Sequence, residues 1–155
     1  MEKHHKAFDS IPDNLRYHQH RVAVTKEFQF DAAHKLYLYE GKCKQLHGHT
    51  YRLLITLSGR LDAKGMVIDF SEIKALFQNT VKERLDHQYL NEALPPMNTT
   101  VENIIVWIWK ELEKEINTSA VYIKRKLRIE ELTLYETAGS FATLKREWMQ
   151  EKEDA

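Results

Sequence analysis

Hydrophobic and polar residues alternate along four stretches of the chain, which is the pattern of a strand with one buried face. In the first stretch the alternate positions that would face the core are Val22, Val24, Phe28, Phe30 and Ala32, and Lys26 interrupts this series. The second stretch covers residues 47–57, with its odd positions buried. Residues 127–135 and 140–145 predict a third and a fourth strand, and the apolar run at 66–68 predicts a short return to the sheet.

Two stretches between the second and third strands repeat hydrophobic residues at helical spacing. Asp69 and Glu72 form a capping-box pattern before the first helix, and Thr99 and Glu102 form another before the second. The predicted element order is therefore ββααββ. This order indicates an α+β fold, a four-stranded antiparallel sheet with both helices on one face.

The length of 155 residues suits one domain. We place it at residues 21–145, after a polar arm of residues 1–20 and before a charged tail of residues 146–155. Lys+Arg and Asp+Glu each number 23, and a formal net charge of zero argues against nucleic-acid binding. The single cysteine and the lack of a long apolar run predict a cytoplasmic protein with no membrane partner.

Three of the eight histidines lie at the alternate positions of the first two strands that would face the core. His47 and His49 are two residues apart, so their side chains point to the same face, with Cα atoms about 6.6 Å apart. His34 continues the phase of Ala32, and a hairpin would bring it beside them. Three imidazoles with an open fourth position are typical of catalytic zinc, while three hydrogen-bonded core histidines are the alternative interpretation.

Three further positions are candidates for acid–base or binding chemistry. Cys43 is either a proton acceptor, favoured as a thiolate by its two lysine neighbours, or an inert small hydrophobe. Asp86 can orient the adjacent His87 only if the geometry allows it, and a histidine at a helix end is the simpler explanation. Glu136 ends the third strand in the buried phase, where its carboxylate needs a ligand, an arginine or a backbone donor.

The sequence resembles the 6-pyruvoyl-tetrahydropterin synthase superfamily, in particular its 6-carboxytetrahydropterin synthase branch. Only three residues separate Cys43 from His47, which resembles that branch more than the 6-pyruvoyl synthases of animals. Ala138-Gly139 departs from the commonest family pattern. The resemblance is carried by six segments in the family's order, residues 28–34, 43–51, 65–70, 85–91, 100–103 and 135–137.

The resemblance implies the tunnelling fold and a homo-oligomer, commonly a hexamer of two trimers with active sites at subunit interfaces. It implies zinc as the cofactor, bound by His34, His47 and His49. Cys43 would be the proton acceptor, and His87, held by Asp86, would be the second acid–base group.

The resemblance also implies a pterin site. Glu136 would bind the amino-pyrimidinone edge of the ring, with Thr100 and Glu102 as further substrate-binding residues, although helix capping explains Glu102 equally well. The implied reaction converts dihydroneopterin triphosphate to 6-carboxytetrahydropterin, triphosphate and acetaldehyde for queuosine synthesis. The alternatives are a 6-pyruvoyl-tetrahydropterin synthase, an unrelated zinc hydrolase and a non-catalytic, zinc-stabilised binding module.

Overall fold

A computed structural model of the protein describes residues 10–153. Five strands form one sheet: β1 (Val22–His34), β2 (His47–Gly59), β3 (Gln88–Tyr89), β4 (Arg128–Thr137) and β5 (Ser140–Lys145). Their spatial order is β3-β1-β2-β4-β5, with the two longest strands side by side near the centre. The predicted α+β class is confirmed, and the strands expected from alternation are all present.

The prediction of four antiparallel strands is wrong, because β3 adds a parallel edge strand. Ala32 and Ala33 of β1 pair with Gln88 and Tyr89 of β3, whereas the other three strand pairs are antiparallel. A strand of two residues is too short to show alternation, so the hydrophobic pattern cannot reveal it. The extra strand matters for the site, since it follows His87 directly.

The prediction that residues 66–68 return to the sheet is also wrong. The Asp62 carboxylate accepts the N–H groups of Lys64 and Met66, which closes a turn instead of a strand. Val67 and Ile68 are each only 3% exposed. Their apolar character therefore reflects burial against the core and not strand pairing.

The first predicted helix runs continuously from α1 (Phe70–Phe77) through a π-helical stretch (Gln78–Lys82) to α2 (Glu83–Leu85). The second is α4 (Val101–Thr118), and three short helices complete the set: α3 (Leu90–Ala93), α5 (Ala120–Lys124) and α6 (Arg146–Met149). The capping box of Asp69 and Glu72 is confirmed. The cap of α4 is Thr100, whose hydroxyl accepts the Asn103 N–H, so the assignment of that cap to Thr99 is wrong.

One hydrophobic core lies between the sheet and the two long helices. Buried residues of β1, β2 and β4 join those of α1 and α4 in a single cluster. The register sets Phe28 opposite Leu53 and Phe30 opposite Tyr51 on this face. The other face, which we call the outer face, is more polar, and there the Arg52 guanidinium lies 3.9 Å from the Tyr135 ring centroid.

The chain ends add little regular structure. Residues 10–20 of the predicted arm contain no helix or strand, and the Arg60 guanidinium donates a hydrogen bond to the Gln19 carbonyl. Residues 1–9 and 154–155 lie outside the described residues, and α6 is the helical part of the predicted tail. Within residues 10–153, no helix is both long enough and apolar enough to cross a membrane.

Replacing Thr100 with Ala removes the side-chain acceptor at the start of α4. We expect the free energy of unfolding to fall by about 1 kcal/mol, as measured by chemical denaturation of the metal-free protein. Thr100→Ser keeps a hydroxyl acceptor and should retain most of this stability. Equal destabilisation by both variants would contradict the capping role.

Candidate metal centre and active site

The pairing of β1 with β2 brings the three predicted histidines together. His34 is opposite His47, and Ala32 is opposite His49, all on the core face at one end of the sheet. The imidazole centroids are 4.6 Å apart for His34 and His47, 5.1 Å for His34 and His49, and 4.8 Å for His47 and His49. A ring nitrogen from each lies within 4.8 Å of those of the other two.

Backbone carbonyls fix which ring nitrogen is available in His34 and in His47. His34 Nδ1 lies 2.8 Å from the Thr99 carbonyl, and His47 Nδ1 lies 2.7 Å from the Gln45 carbonyl. A carbonyl oxygen can only accept, so Nδ1 carries the hydrogen in both rings and Nε2 keeps its lone pair. The Nε2 atoms of all three histidines are buried without a hydrogen-bond partner among the described residues.

This arrangement fits a metal ion. Three neutral imidazoles supply lone pairs toward one point, and a second group on the other ring nitrogen holds two of them in orientation. The alternative, in which the three are ordinary hydrogen-bonded core histidines, requires partners for Nε2, which residues 10–153 do not supply. The cluster could therefore hold a metal ion, with His34, His47 and His49 as ligands.

Burial disfavours the charged form of His34 and of His49. Desolvation is the main cause that lowers the pKa of His34, which is 0% exposed, and the neighbouring His47 and His49 lower it further. Desolvation likewise lowers the pKa of His49, although the charge of Glu136 opposes it. A neutral ring is the form that binds a metal, so the electrostatics and the geometry agree.

Glu136 reaches the same cluster from the end of β4. Its Oε1 lies 3.5 Å from His49 Nε2, close enough for electrostatic attraction but too far for a good hydrogen bond. The residue sits where the pairing of β4 with β5 shifts register between Tyr135 and Thr137. Its carboxylate is thus beside the histidines and retains capacity to accept hydrogen bonds from a ligand.

The side chains of Asp86 and His87 lie within ion-pair distance, which their adjacency in the sequence does not by itself guarantee. Asp86 Oδ2 lies 3.0 Å from His87 Nδ1. The backbone of Asp31 holds both residues: its N–H donates to Asp86 Oδ1 at 2.9 Å, and its carbonyl accepts the His87 N–H at 2.6 Å. The hydrogen bond from the Asp31 N–H is the main cause that lowers the pKa of Asp86, and His87 lowers it further.

His87 adopts a backbone conformation that makes this geometry possible. Its φ is 59°, in the left-handed region, where histidine is found more often than most non-glycine residues. The turn ends α2 and starts β3, and it leaves the imidazole 77% exposed. Asp31, Asp86 and His87 form a second cluster with ligand atoms within 4.8 Å, separate from the three histidines.

An open groove of about 560 Å³ runs along this end of the sheet. Its lining includes His87, His49 and Asp31, but not His34, His47 or Glu136. Its size is in the range of small-molecule sites. Of the three clustered histidines, only His49 therefore lines the groove together with His87.

Three predicted site residues belong neither to the histidine cluster with its neighbour Glu136 nor to the Asp86–His87 pair. Cys43 is half-buried in a 3-10 turn (Lys42–Lys44), its carbonyl accepts the Leu36 N–H at 2.9 Å, and it belongs to neither cluster of potential ligands. Glu102 is exposed on the first turn of α4. Thr100 is occupied as the helix cap.

Side-chain amides that sequence reasoning missed fasten the chain that follows His34. Asn91 accepts the Lys35 N–H at 3.0 Å and donates to the Lys35 carbonyl at 2.9 Å. Asn98 makes the same pair of bonds with Tyr37, both 2.9 Å long. These contacts hold the loop against the segment whose Thr99 carbonyl orients His34. The one available signal was that Asn91 lies within a segment that carries the family resemblance.

Comparison with known proteins identifies the family. Residues 23–147 match the family model described as 6-pyruvoyl tetrahydropterin synthase. The chain belongs to the 6-pyruvoyl tetrahydropterin synthase family. A 6-carboxy-5,6,7,8-tetrahydropterin synthase of Synechocystis is 46% identical over 96 residues, covering 59% of this chain and 74% of that protein. One from Haemophilus influenzae is 32% identical over 142 residues, covering 76% and 94%.

The fold agrees with this family. The solved structure of Caenorhabditis elegans 6-pyruvoyl tetrahydropterin synthase superposes with a TM-score of 0.69 and 25% identity, covering 84% of this chain and 99% of that chain. The expected tunnelling fold is thus supported by a solved relative, with the strand count corrected as described above.

Replacing His47 with Ala removes one of the three available Nε2 atoms. We expect metal content after dialysis to fall from about one ion per chain to nearly none, measured by elemental analysis. His18→Ala, at an exposed position of the arm, should leave the metal content unchanged. Full metal retention by His47→Ala would remove this residue from the ligand set.

Acid should destabilise the metal-free protein. The folded-state pKa of His34 lies below its usual value of 6.5, so the unfolded chain binds more protons as pH falls below that value. We expect the thermal unfolding midpoint to be steady above pH 6.5 and to fall at lower pH, down to the depressed pKa of His34. His34→Gln should show a smaller fall over the same interval. An unchanged pH profile in that variant would contradict the assignment to His34.

Proposed function

We propose that the protein is a zinc-dependent 6-carboxy-5,6,7,8-tetrahydropterin synthase. It would convert 7,8-dihydroneopterin triphosphate and one water molecule to 6-carboxytetrahydropterin, with release of triphosphate and acetaldehyde. The observation that carries this proposal is the buried cluster of three histidines with free Nε2 atoms. Family membership gives the cluster its chemical context.

The branch within the family is supported by two observations. The Synechocystis and Haemophilus influenzae relatives both bear the 6-carboxy name. The human relative, a 6-pyruvoyl tetrahydrobiopterin synthase, is 29% identical over 144 residues, covering 82% of this chain and 93% of that protein. The short spacing between Cys43 and His47 also favours the 6-carboxy branch.

Zinc held by His34, His47 and His49 would supply Lewis-acid polarisation of oxygen atoms on the substrate side chain. Glu136, which lies beside His49, would accept hydrogen bonds from the amino-pyrimidinone edge of the pterin. A carboxylate paired with two N–H donors is a charge-assisted contact, stronger than a neutral one. Glu136 would thereby orient the ring with its side chain toward the histidines.

Proton transfer would involve two groups on different loops. Cys43 would accept a proton from the substrate side chain. His87 would hold or return a proton at its exposed Nε2, while Asp86 stabilises the charged ring through Nδ1. The anchoring of both Asp86 and His87 to the Asp31 backbone keeps this pair in place. Glu102 and Thr100 are weaker candidates for substrate contact, since the Thr100 hydroxyl is already used as a cap.

A homo-oligomer, with a hexamer as the family precedent, would complete the site. The groove at His87 is open in a single chain, and Cys43 lies outside the histidine cluster. The outer edge of β5 and the 54% exposed Phe141 on that strand are available for contact between copies. A cytoplasmic location and a role in queuosine synthesis belong to the same proposal.

Product analysis tests the function. Zinc-loaded protein is incubated with 7,8-dihydroneopterin triphosphate, the pterin is identified by mass spectrometry, and acetaldehyde is quantified. We expect 6-carboxytetrahydropterin and acetaldehyde in equal amounts. A 6-pyruvoyl product without acetaldehyde would instead assign the sibling activity, and an unchanged substrate would refute both.

Cys43→Ala should retain zinc and lose turnover by at least about 100-fold, because a general base contributes on that order or more. Glu40→Ala, which changes a 95% exposed side chain of the same loop, is the matched control and should retain most of the rate. Undiminished turnover in Cys43→Ala would discard the proton-acceptor role.

A further inference from the structure

The hydroxyl of Tyr51 is a buried polar group that the proposed reaction has not used. Tyr51 is 0% exposed, and its hydroxyl has no hydrogen-bond partner among residues 10–153. Buried hydroxyls nearly always have a partner, because leaving one unpaired destabilises the fold. Its side chain shares the core face with those of His49 and His47, two and four residues earlier on β2.

The ring of Tyr51 stands against the histidine cluster. Its centroid lies 5.5 Å from that of His49 and 6.2 Å from that of His34. On its other side it stacks on Phe30 at 5.0 Å, with the two planes inclined by only 8°. Phe30 offers no acceptor, so the packing that fixes the ring does not satisfy its hydroxyl.

The polar neighbours are also unsuitable as permanent partners. The imidazole Nε2 lone pairs are directed to a shared point and would be taken by a metal ion. The charge of Glu136 acts on Tyr51, yet the two side chains make no hydrogen bond. The acceptor for this hydroxyl must then arrive with a ligand that enters beside the histidines.

We propose that the Tyr51 hydroxyl donates a hydrogen bond to a hydroxyl oxygen on the substrate's C6 side chain, and so selects hydroxylated side chains. This inference rests on the proposed function, in which that side chain approaches the three histidines. It makes Tyr51 a specificity-determining residue: one that recognises the part of the substrate that reacts, whereas Glu136 recognises the ring.

Binding of two matched probes tests the inference without turnover. Both 7,8-dihydroneopterin and 6-methyl-7,8-dihydropterin carry the same ring and lack the triphosphate, but only the first has side-chain hydroxyls. With zinc-loaded protein, we expect Tyr51→Phe to weaken dihydroneopterin binding by about 2- to 10-fold, the range for one neutral hydrogen bond. Affinity for the 6-methyl compound should not change.

Two comparison variants sharpen the result. Tyr122→Phe removes a phenol oxygen from a partly buried tyrosine on α5 and should leave both affinities unchanged. Glu136→Gln should weaken both probes to a similar extent, since it acts on the shared ring. Tyr51→Phe in the metal-free protein should unfold at or above the wild-type temperature, because the substitution removes only an unpaired hydroxyl.

Three outcomes would overturn the inference. Unchanged dihydroneopterin affinity in Tyr51→Phe, or equal weakening of both probes, would show that the hydroxyl does not recognise the side chain. A lower unfolding temperature in the metal-free variant would assign the hydroxyl a structural partner. If the wild-type protein binds neither probe, the proposed function itself fails and the inference fails with it.

Discussion

The antiparallel register of β1 with β2 is the constraint on which both the core and the metal centre depend. It sets His34 opposite His47 on the same face as the stacked rings of Phe30 and Tyr51. A slip of β2 by one residue would turn its entire buried set, both histidines included, toward the outer face. The hydrophobic packing that stabilises the sheet therefore also enforces the spacing of the candidate ligands.

Strand β1 connects the two halves of the candidate site. On one side, its residue Ala32 pairs with His49 of β2. On the other side, the backbone of Asp31 binds Asp86 and His87, and β3 continues the pairing. The candidate metal ligands and the Asp86–His87 pair are thus held by opposite edges of one strand, so backbone pairing sets their relative position.

The sequence predicted those parts of the molecule in which a repeated pattern reports burial. Alternation predicted four strands and a common face for His34, His47 and His49, and the pairing of β1 with β2 confirms that face. It could not find β3, because two residues carry no period, and it misread residues 66–68, because an apolar turn and an apolar strand look alike. The sequence likewise cannot predict the hydrogen bonds of the Asp31 backbone or of the Thr99 carbonyl, because every residue has the same main-chain groups.

Asn91 illustrates how a residue outside the candidate ligand set can affect how firmly a candidate ligand is held. Its amide both accepts from and donates to Lys35, directly after His34. Deamidation would leave a carboxylate, which accepts only and would face the Lys35 carbonyl with like charge. Slow chemical ageing of this one side chain would therefore loosen the chain beside His34, although all three candidate ligands remained intact.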